Sequence, residues 1–495
     1  MITPWKSLVV FSRGARFTLG VAAAAVSVAC ATDAPTSVAV RRLGPAFDAS
    51  PSADQVAICH HPESGGQYLQ VAQPALAGHL EHGDYVTILL VSHDFVGVND
   101  GVHFARIGDA LAAARAARLQ HNELTDAACR VTIGVSSDVY SGTAIGPVTG
   151  TTEAFPMIVD VPDITLHGAF VMGLDEFGRA TGVGAAADQT TLASIERLPV
   201  LNGAQTPIFV ANAHPGGSAG NGLTVEGFVF QSGPAPMTPA GGQGVLSMRV
   251  TGLTIRGNRF QGFQSPIDLR ASSADVLQNQ TEGSGACDIC PAAPGTYSVV
   301  GNLILAGGIE GVAPVGVVTL AVPSGVEPYA IPATAEAWFE IRNNAVHDHS
   351  RLPVGSGVRV SVKGMAPSVH NTTHAIIADN LLANDRFGII VDAGFPTAVA
   401  DLKSDADVTL SGNQFEQVCQ SKLYVSLARH TVGLGLGNGP YLQNSNYTLS
   451  LGGDLNWSDA WYAHAGGFGN TLVVDGQLIA NGIHNFYSAS SCPGL

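Results

Sequence analysis

The chain has 495 residues, 23 Lys and Arg against 39 Asp and Glu, a formal net charge of −16 and only 13% charged residues. That balance excludes a nucleic-acid partner, because phosphate binding needs a basic surface. With 59 Gly and 46% hydrophobic residues, the composition also excludes a disordered chain and suits short apolar runs between many turns.

Residues 1–30 read as an export signal. Lys6, Arg13 and Arg16 supply the positive region, and residues 17–29 form an apolar run. That run has about the length of a signal core and is too short to span a bilayer. It ends at Ser27-Val28-Ala29-Cys30. Small residues before a Cys resemble the lipobox of bacterial lipoproteins, with Ser27 where the family carries Leu. The resemblance implies that Cys30 is lipidated and holds the mature chain in the bacterial cell envelope, at the outer membrane or cell surface. The alternative is an ordinary cleaved signal that ends near a Cys. No later stretch is apolar enough to span a membrane, so contact with a membrane is expected through the anchor only. Residues 31–55, rich in Ala, Pro, Ser, Thr and Asp, read as a flexible tether.

Residues 56–90 stand apart as a small Cys/His module. Cys59, His60, His61, His79 and His82 are five metal-ligand types within about two dozen residues. His79 and His82 are three apart, so a helical turn puts them on one face. A thiolate with imidazoles suits Zn²⁺, and the expected ligand set is Cys59, His60, His79 and His82. The other reading pairs Cys59 with a second Cys and lets the His residues pack locally. The stretch resembles a short module of bacterial exported proteins, Cys-His-x-Pro followed by His-Leu-x-His-Gly-Asp. It matches at Cys59, His60, Pro62, His79, His82, Gly83 and Asp84. No activity follows from that resemblance. Six Cys remain after Cys30, an even number that permits disulfides without giving their connectivity. Cys287 and Cys290 are close enough in sequence to staple one loop.

The spacing of Ile107, Leu111 and Ala114 predicts a helix across residues 104–118. Arg130 to Val135 then alternates as a strand. From there one phrase recurs: a short apolar strand, a tight turn and an Asn. It appears at Asn258, Asn279, Asn302, Asn344, Asn380 and Asn413, with spacings of 21, 23, 42, 36 and 33 residues. Two earlier copies, at Gly168 and Gly227, carry Gly without Asn. Periods of roughly 20 to 50 residues mark stacked architectures. Each coil offers apolar positions that only stacking can bury. Asn at a repeated turn is expected to take the left-handed conformation and to form an amide ladder.

This pattern resembles the pectate-lyase-like superfamily over roughly residues 100–430. It implies an all-β, right-handed, single-stranded parallel β-helix with an N-terminal capping helix. The expected organisation is a solenoid over residues 91–430 and a C-terminal cap over 431–495. Aromatics in that last part, among them Tyr441, Trp457 and Trp461, either cap the final coil or stack on sugars.

Alternation turns Val358, Val360, Ile389, Val391, Leu423 and Val425 inward. Arg359, Lys363, Asp392 and Tyr424 then share an outer strip, with coils about 4.8 Å apart. Lyases of the superfamily carry bases and charge-neutralising groups on such a strip, so Arg359, Lys363 and Asp392 are candidate catalytic residues by analogy of fold. His349 and Asp385 each lie five residues after a ladder Asn. A His beside a carboxylate suits acid/base chemistry. It also suits a plain surface ion pair. The motifs of pectate lyases and polygalacturonases are absent, and Arg351-Leu352-Pro353 begins one and departs from it. The expectation is a monomeric, envelope-anchored protein that binds or processes polysaccharide, by lyase or hydrolase chemistry if it is an enzyme. The competing expectation is a non-enzymatic adhesin or spacer.

Overall fold

The computed structural model describes residues 55–484 apart from a set of internal segments, the longest being 195–206, 212–221, 313–333 and 393–403. Cys30, most of the tether, His349, Lys363 and the side chain of Asp392 lie outside the described residues.

Three long sheets of fourteen, ten and eleven strands form the walls of a parallel β-helix. From Ile164–His167 to Ser421–Ser426 each coil gives one strand to each wall. Leu253–Arg256, Arg259–Gln261 and Ser265–Arg270 make one coil. Ala274–Leu277, Gln280–Glu282 and Ile289–Ala292 stack on it in register, pairing Ile255 with Val276, Phe260 with Thr281 and Ile267 with Ile289. Inward positions form one continuous apolar core. Val358, Val360, Ile389, Val391, Leu423 and Val425 all lie in it, as alternation requires.

The corner between the fourteen- and ten-stranded walls carries the Asn ladder. The Oδ1 of Asn302 accepts from the backbone N–H and the amide of Asn279, at 2.8 and 3.1 Å. Its own amide donates to the Val276 carbonyl and to Asn344 Oδ1, both at 2.9 Å. The same exchange links Asn258 to Asn279, Asn344 to Asn380 and Asn380 to Asn413. The left-handed backbone is not on these Asn residues. It falls on the residue before each: Gly257, Gln278, Gly301, Asn343, Asp379 and Gly412, with φ between 54° and 70°. The preceding residue makes the turn, which leaves the Asn in a backbone that aims its amide inward.

A strap runs along this corner. The Phe170 N–H donates to the Gly227 carbonyl, Gln278 donates to the Gly178 carbonyl, and the Ala180 N–H donates to the Gly301 carbonyl. Asn343 reaches the Phe177 carbonyl at 2.6 Å. One segment thus ties together the corners of several coils.

The N-terminal end is closed by a helix and a small sheet. Strands β1 (Gln55–His60), β2 (Gln67–Ala72) and β3 (Tyr85–Val86) pair antiparallel in the order β2-β1-β3. Helix α1 (Leu76–Glu81) lies between β2 and β3. Helix α2 (Ile107–Gln120) buries Ile107, Ala110, Leu111 and Ala114 against the core. Its first N–H groups are satisfied from far along the chain. Glu153 accepts from the Ile107 and Gly108 N–H groups at 2.6 and 3.0 Å. Burial raises the Glu153 carboxyl above its ordinary range, against the pull of those two donors. At the other end, Arg118 is fully buried and donates to Glu123 at 2.7 Å, to Tyr85 and to the Cys129 carbonyl. Residues 45–495 form one compact unit. The strand Ile88–Val91 already belongs to the fourteen-stranded wall, pairing with Val131–Val135, so the chain has no structural break at residue 90.

Candidate functional site

In the module, Cys59 is not a metal ligand. It is bonded to Cys129, with the sulfurs 2.01 Å apart. A disulfide sulfur offers no thiolate, so the ligand set expected from the sequence loses its softest member. His82 caps α1, its backbone N–H reaching the Gly78 and His79 carbonyls, and it stands outside the cluster of ligand atoms. His60 and His79 do converge, and the group they meet is Asp84. His60 Nδ1 lies 2.9 Å and His79 Nδ1 2.8 Å from Asp84 Oδ2. The His61 N–H donates to Asp84 Oδ1 at 3.1 Å. Burial raises the Asp84 carboxyl, but these three hydrogen bonds outweigh it and leave the carboxyl below its ordinary range. His61 turns the other way. Its ring stacks on His121 at 4.0 Å, with Nε2 3.3 Å from Glu123. Cys287 and Cys290 close the short loop staple.

Of the outer strip expected to carry catalysis, the described side chains, Arg359 and Tyr424, are buried. Register places Arg359 beside Glu310 and Ile390, and Ile390 beside Tyr424. Arg359 is 6% exposed, Ile390 0% and Tyr424 2%. Ile390 and Tyr424 pack with Phe387 in a small cluster separate from the main core. These side chains point away from the coil interior and are covered from outside, which alternation alone does not reveal. Asp392 pairs in register with Ser361 and Ser426. Asp385 is fully buried, with its carboxylate 2.7 Å from where a Cβ on Gly357 would stand. It is not a surface acid.

Among the described residues, a broad open surface lies on the fourteen-stranded wall. Thr334–Arg342, His370–Ala378 and Ser404–Ser411, of nine, nine and eight residues, are the longest described strands. Ala337, Phe339, Ile341, Ala375, Ile377, Ala406, Val408 and Leu410 face the core. Glu336, Trp338, Glu340, His374, Ile376, Asp405, Asp407 and Thr409 therefore face out. Trp338 is 48% exposed although it is large and apolar. Its ring stacks on His374, with centroids 3.9 Å apart and planes 14° from parallel. His374 Nε2 lies 3.3 Å from Glu336 Oε1 and its Nδ1 3.9 Å from Asp407 Oδ2. Glu340 holds Arg342 at 2.6 Å. Further along the same wall, His167 and Arg256 both pair with Glu226. Burial raises the Glu226 carboxyl, and the hydrogen bonds from His167 and Arg256 reverse that effect.

The arrangement supplies a flat ring held from behind, an imidazole between two carboxylates, and acceptors on neighbouring rungs. The signal for it lay in Ala335-Glu336-Ala337-Trp338-Phe339-Glu340-Ile341-Arg342. If Phe339 and Ile341 point in, Trp338 must point out.

No family model matches the chain, and no curated protein matches it. Among solved structures it is similar to the mannuronan C-5 epimerase A-module of Azotobacter vinelandii, at 12% identity over 77% of this chain and 93% of that one, with a TM-score of 0.34. It is also similar to the catalytic domain of a GH87 alpha-1,3-glucanase in complex with tetrasaccharides, at 9% identity over 79% and 66% of the two chains, with a TM-score of 0.34. A third likeness is to tailspike protein 3 of bacteriophage CBA120, at 9% identity over 86% and 65%, with a TM-score of 0.30.

Proposed function

We propose that this protein binds polysaccharide along the open part of the fourteen-stranded wall. The observation that carries this reading is the Trp338–His374 stack, exposed on a rigid sheet between Glu336 and Asp407. A half-exposed indole has an apolar face for the C–H side of a sugar ring. Carboxylates beside it accept hydrogen bonds from sugar hydroxyls, and charge strengthens such bonds. The face is acidic, so a neutral glycan suits it better than a uronate polymer, which would meet like charge. The tether and a lipidated Cys30 would hold this wall at the cell envelope.

Binding without cleavage, as in an adhesin, is favoured by the burial of Arg359. A lyase acting on that strip would need the guanidinium open to a polyanion. The test is affinity electrophoresis of the purified chain through gels containing neutral or uronate polysaccharides, together with absorbance near 235 nm for unsaturated ends. Retention by a neutral polymer, reduced at least tenfold in Trp338→Ala, with no absorbance rise, is the expected result. Retention unchanged in Trp338→Ala would overturn the site. No retention by any polymer would leave the spacer reading in its place.

A further inference from the structure

We infer that His60, His79 and Asp84 form a binding site for a late first-row divalent cation such as Zn²⁺. The three groups come from three separate places: the end of β1, the middle of α1 and the turn before β3. A local turn holds His79 near Asp84, whereas His60 comes from 24 residues away in the chain. His60 follows Cys59, and the antiparallel pairing of Cys59 with Tyr85 carries His60 to a place opposite Asp84. His79 arrives by another route. The Asp84 backbone N–H donates to the His79 carbonyl at 3.1 Å, closing the loop that contains Gly83 at φ 94°.

The spacing fits a shared ion. Both Nδ1 atoms lie within 3.0 Å of the Asp84 carboxylate oxygens. Tetrahedral bonds of about 2.0–2.2 Å to N and O place neighbouring ligand atoms roughly 3.3–3.6 Å apart, so the imidazoles need swing outward from the carboxylate by only about 0.5 Å to admit the ion. The carboxylate is fixed, since Asp84 is buried and its Oδ1 accepts the His61 N–H. The disulfide from Cys59 to Cys129 anchors the strand beside it. The two imidazoles, at 37% and 30% side-chain exposure, stay open to solvent on the other side. An ion can therefore enter, and its remaining positions face outward.

On binding, the cation gives up aquo ligands and gains two Nδ1 bonds and one carboxylate bond. Each imidazole then binds through its Nδ1 lone pair and carries its proton on Nε2. The donor set of two nitrogens and one oxygen, with no thiolate, is one that Zn²⁺, Ni²⁺ and Cu²⁺ all accept. Zn²⁺ is the probe. This differs from the set expected from sequence: Asp84 replaces Cys59, and His82 takes no part.

The experiment is calorimetric titration of the chelator-treated full chain with Zn²⁺. One ion per chain is expected at micromolar affinity or tighter. His79→Ala and Asp84→Asn should each weaken binding at least tenfold, and His82→Ala should leave it unchanged. Circular dichroism melts check that each variant is folded. If Asp84→Asn does not fold, His79→Ala decides alone, because that side chain is partly exposed. No saturable binding, or equal binding in His79→Ala and the unaltered chain, would overturn the site. Neither outcome touches glycan retention through Trp338, which lies on a different part of the stack.

Discussion

Asn302 shows how one residue can carry a stack. Its amide satisfies two donors of Asn279 and gives two hydrogens of its own, to Val276 and Asn344. All three Asn residues are fully buried. Asn302→Ala would strand both Asn279 donors where water does not reach. An unsatisfied buried group costs about 1–3 kcal/mol, so a loss of roughly 2–5 kcal/mol is expected. Asn413, at 8% exposed, should cost less, because water partly replaces its bonds. Denaturant midpoints of the two variants check the order. If Asn413→Ala loses as much as Asn302→Ala, burial is not what sets the cost. The ladder was legible in sequence because identical residues recurred at a coil-like period. The conformation of the turn was not. Gly, Gln, Asn and Asp all fill the left-handed position, so no single residue type marks it.

At the scale of elements, the closure of the N-terminal end depends on contacts far apart in sequence. The spacing of Ile107, Leu111 and Ala114 predicts α2, and the helix forms at Ile107–Gln120. That Glu153 caps it, and that Arg118 is buried beneath the module, required knowing what folds back on it. The ligand set failed for a similar reason. Cys59 has the spacing of a ligand, but its partner Cys129 lies 70 residues away. Spacing cannot rank a distant thiol against nearby imidazoles. A loop of that length, when cross-linked, restrains the unfolded chain by about 4 kcal/mol in the chain-entropy model. Replacing both Cys59 and Cys129 with Ser should therefore open the module first. Hydrogen exchange is expected to rise across β1, β3 and Ile88–Val91 and to stay slow in Leu253–Arg256 and the coils beyond. Equal loosening at both ends would mean that the disulfide serves the whole stack, not its cap.

For the whole molecule, the coil period and the inward alternation were readable, because burial repeats every rung. Which outer face is covered was not readable. Arg359 and Trp338 both alternate outward from core residues, yet one is buried and the other half exposed. The difference lies in what the rest of the chain lays over each wall. This matters for charge. A chain at −16 with Glu336, Glu340 and Asp407 exposed on its open wall repels polyanions over about 8 Å at physiological salt. The triple change Glu336→Gln, Glu340→Gln and Asp407→Asn removes that local field and keeps side-chain shape. In affinity gels, retention by a uronate polymer should appear or rise severalfold in the triple variant, most clearly at low salt. Retention by a neutral polymer should fall, because amides accept hydroxyl hydrogens less strongly than carboxylates. If uronate retention does not respond to either the triple change or the salt concentration, charge on this wall does not select the glycan, and stacking on Trp338 must do so alone.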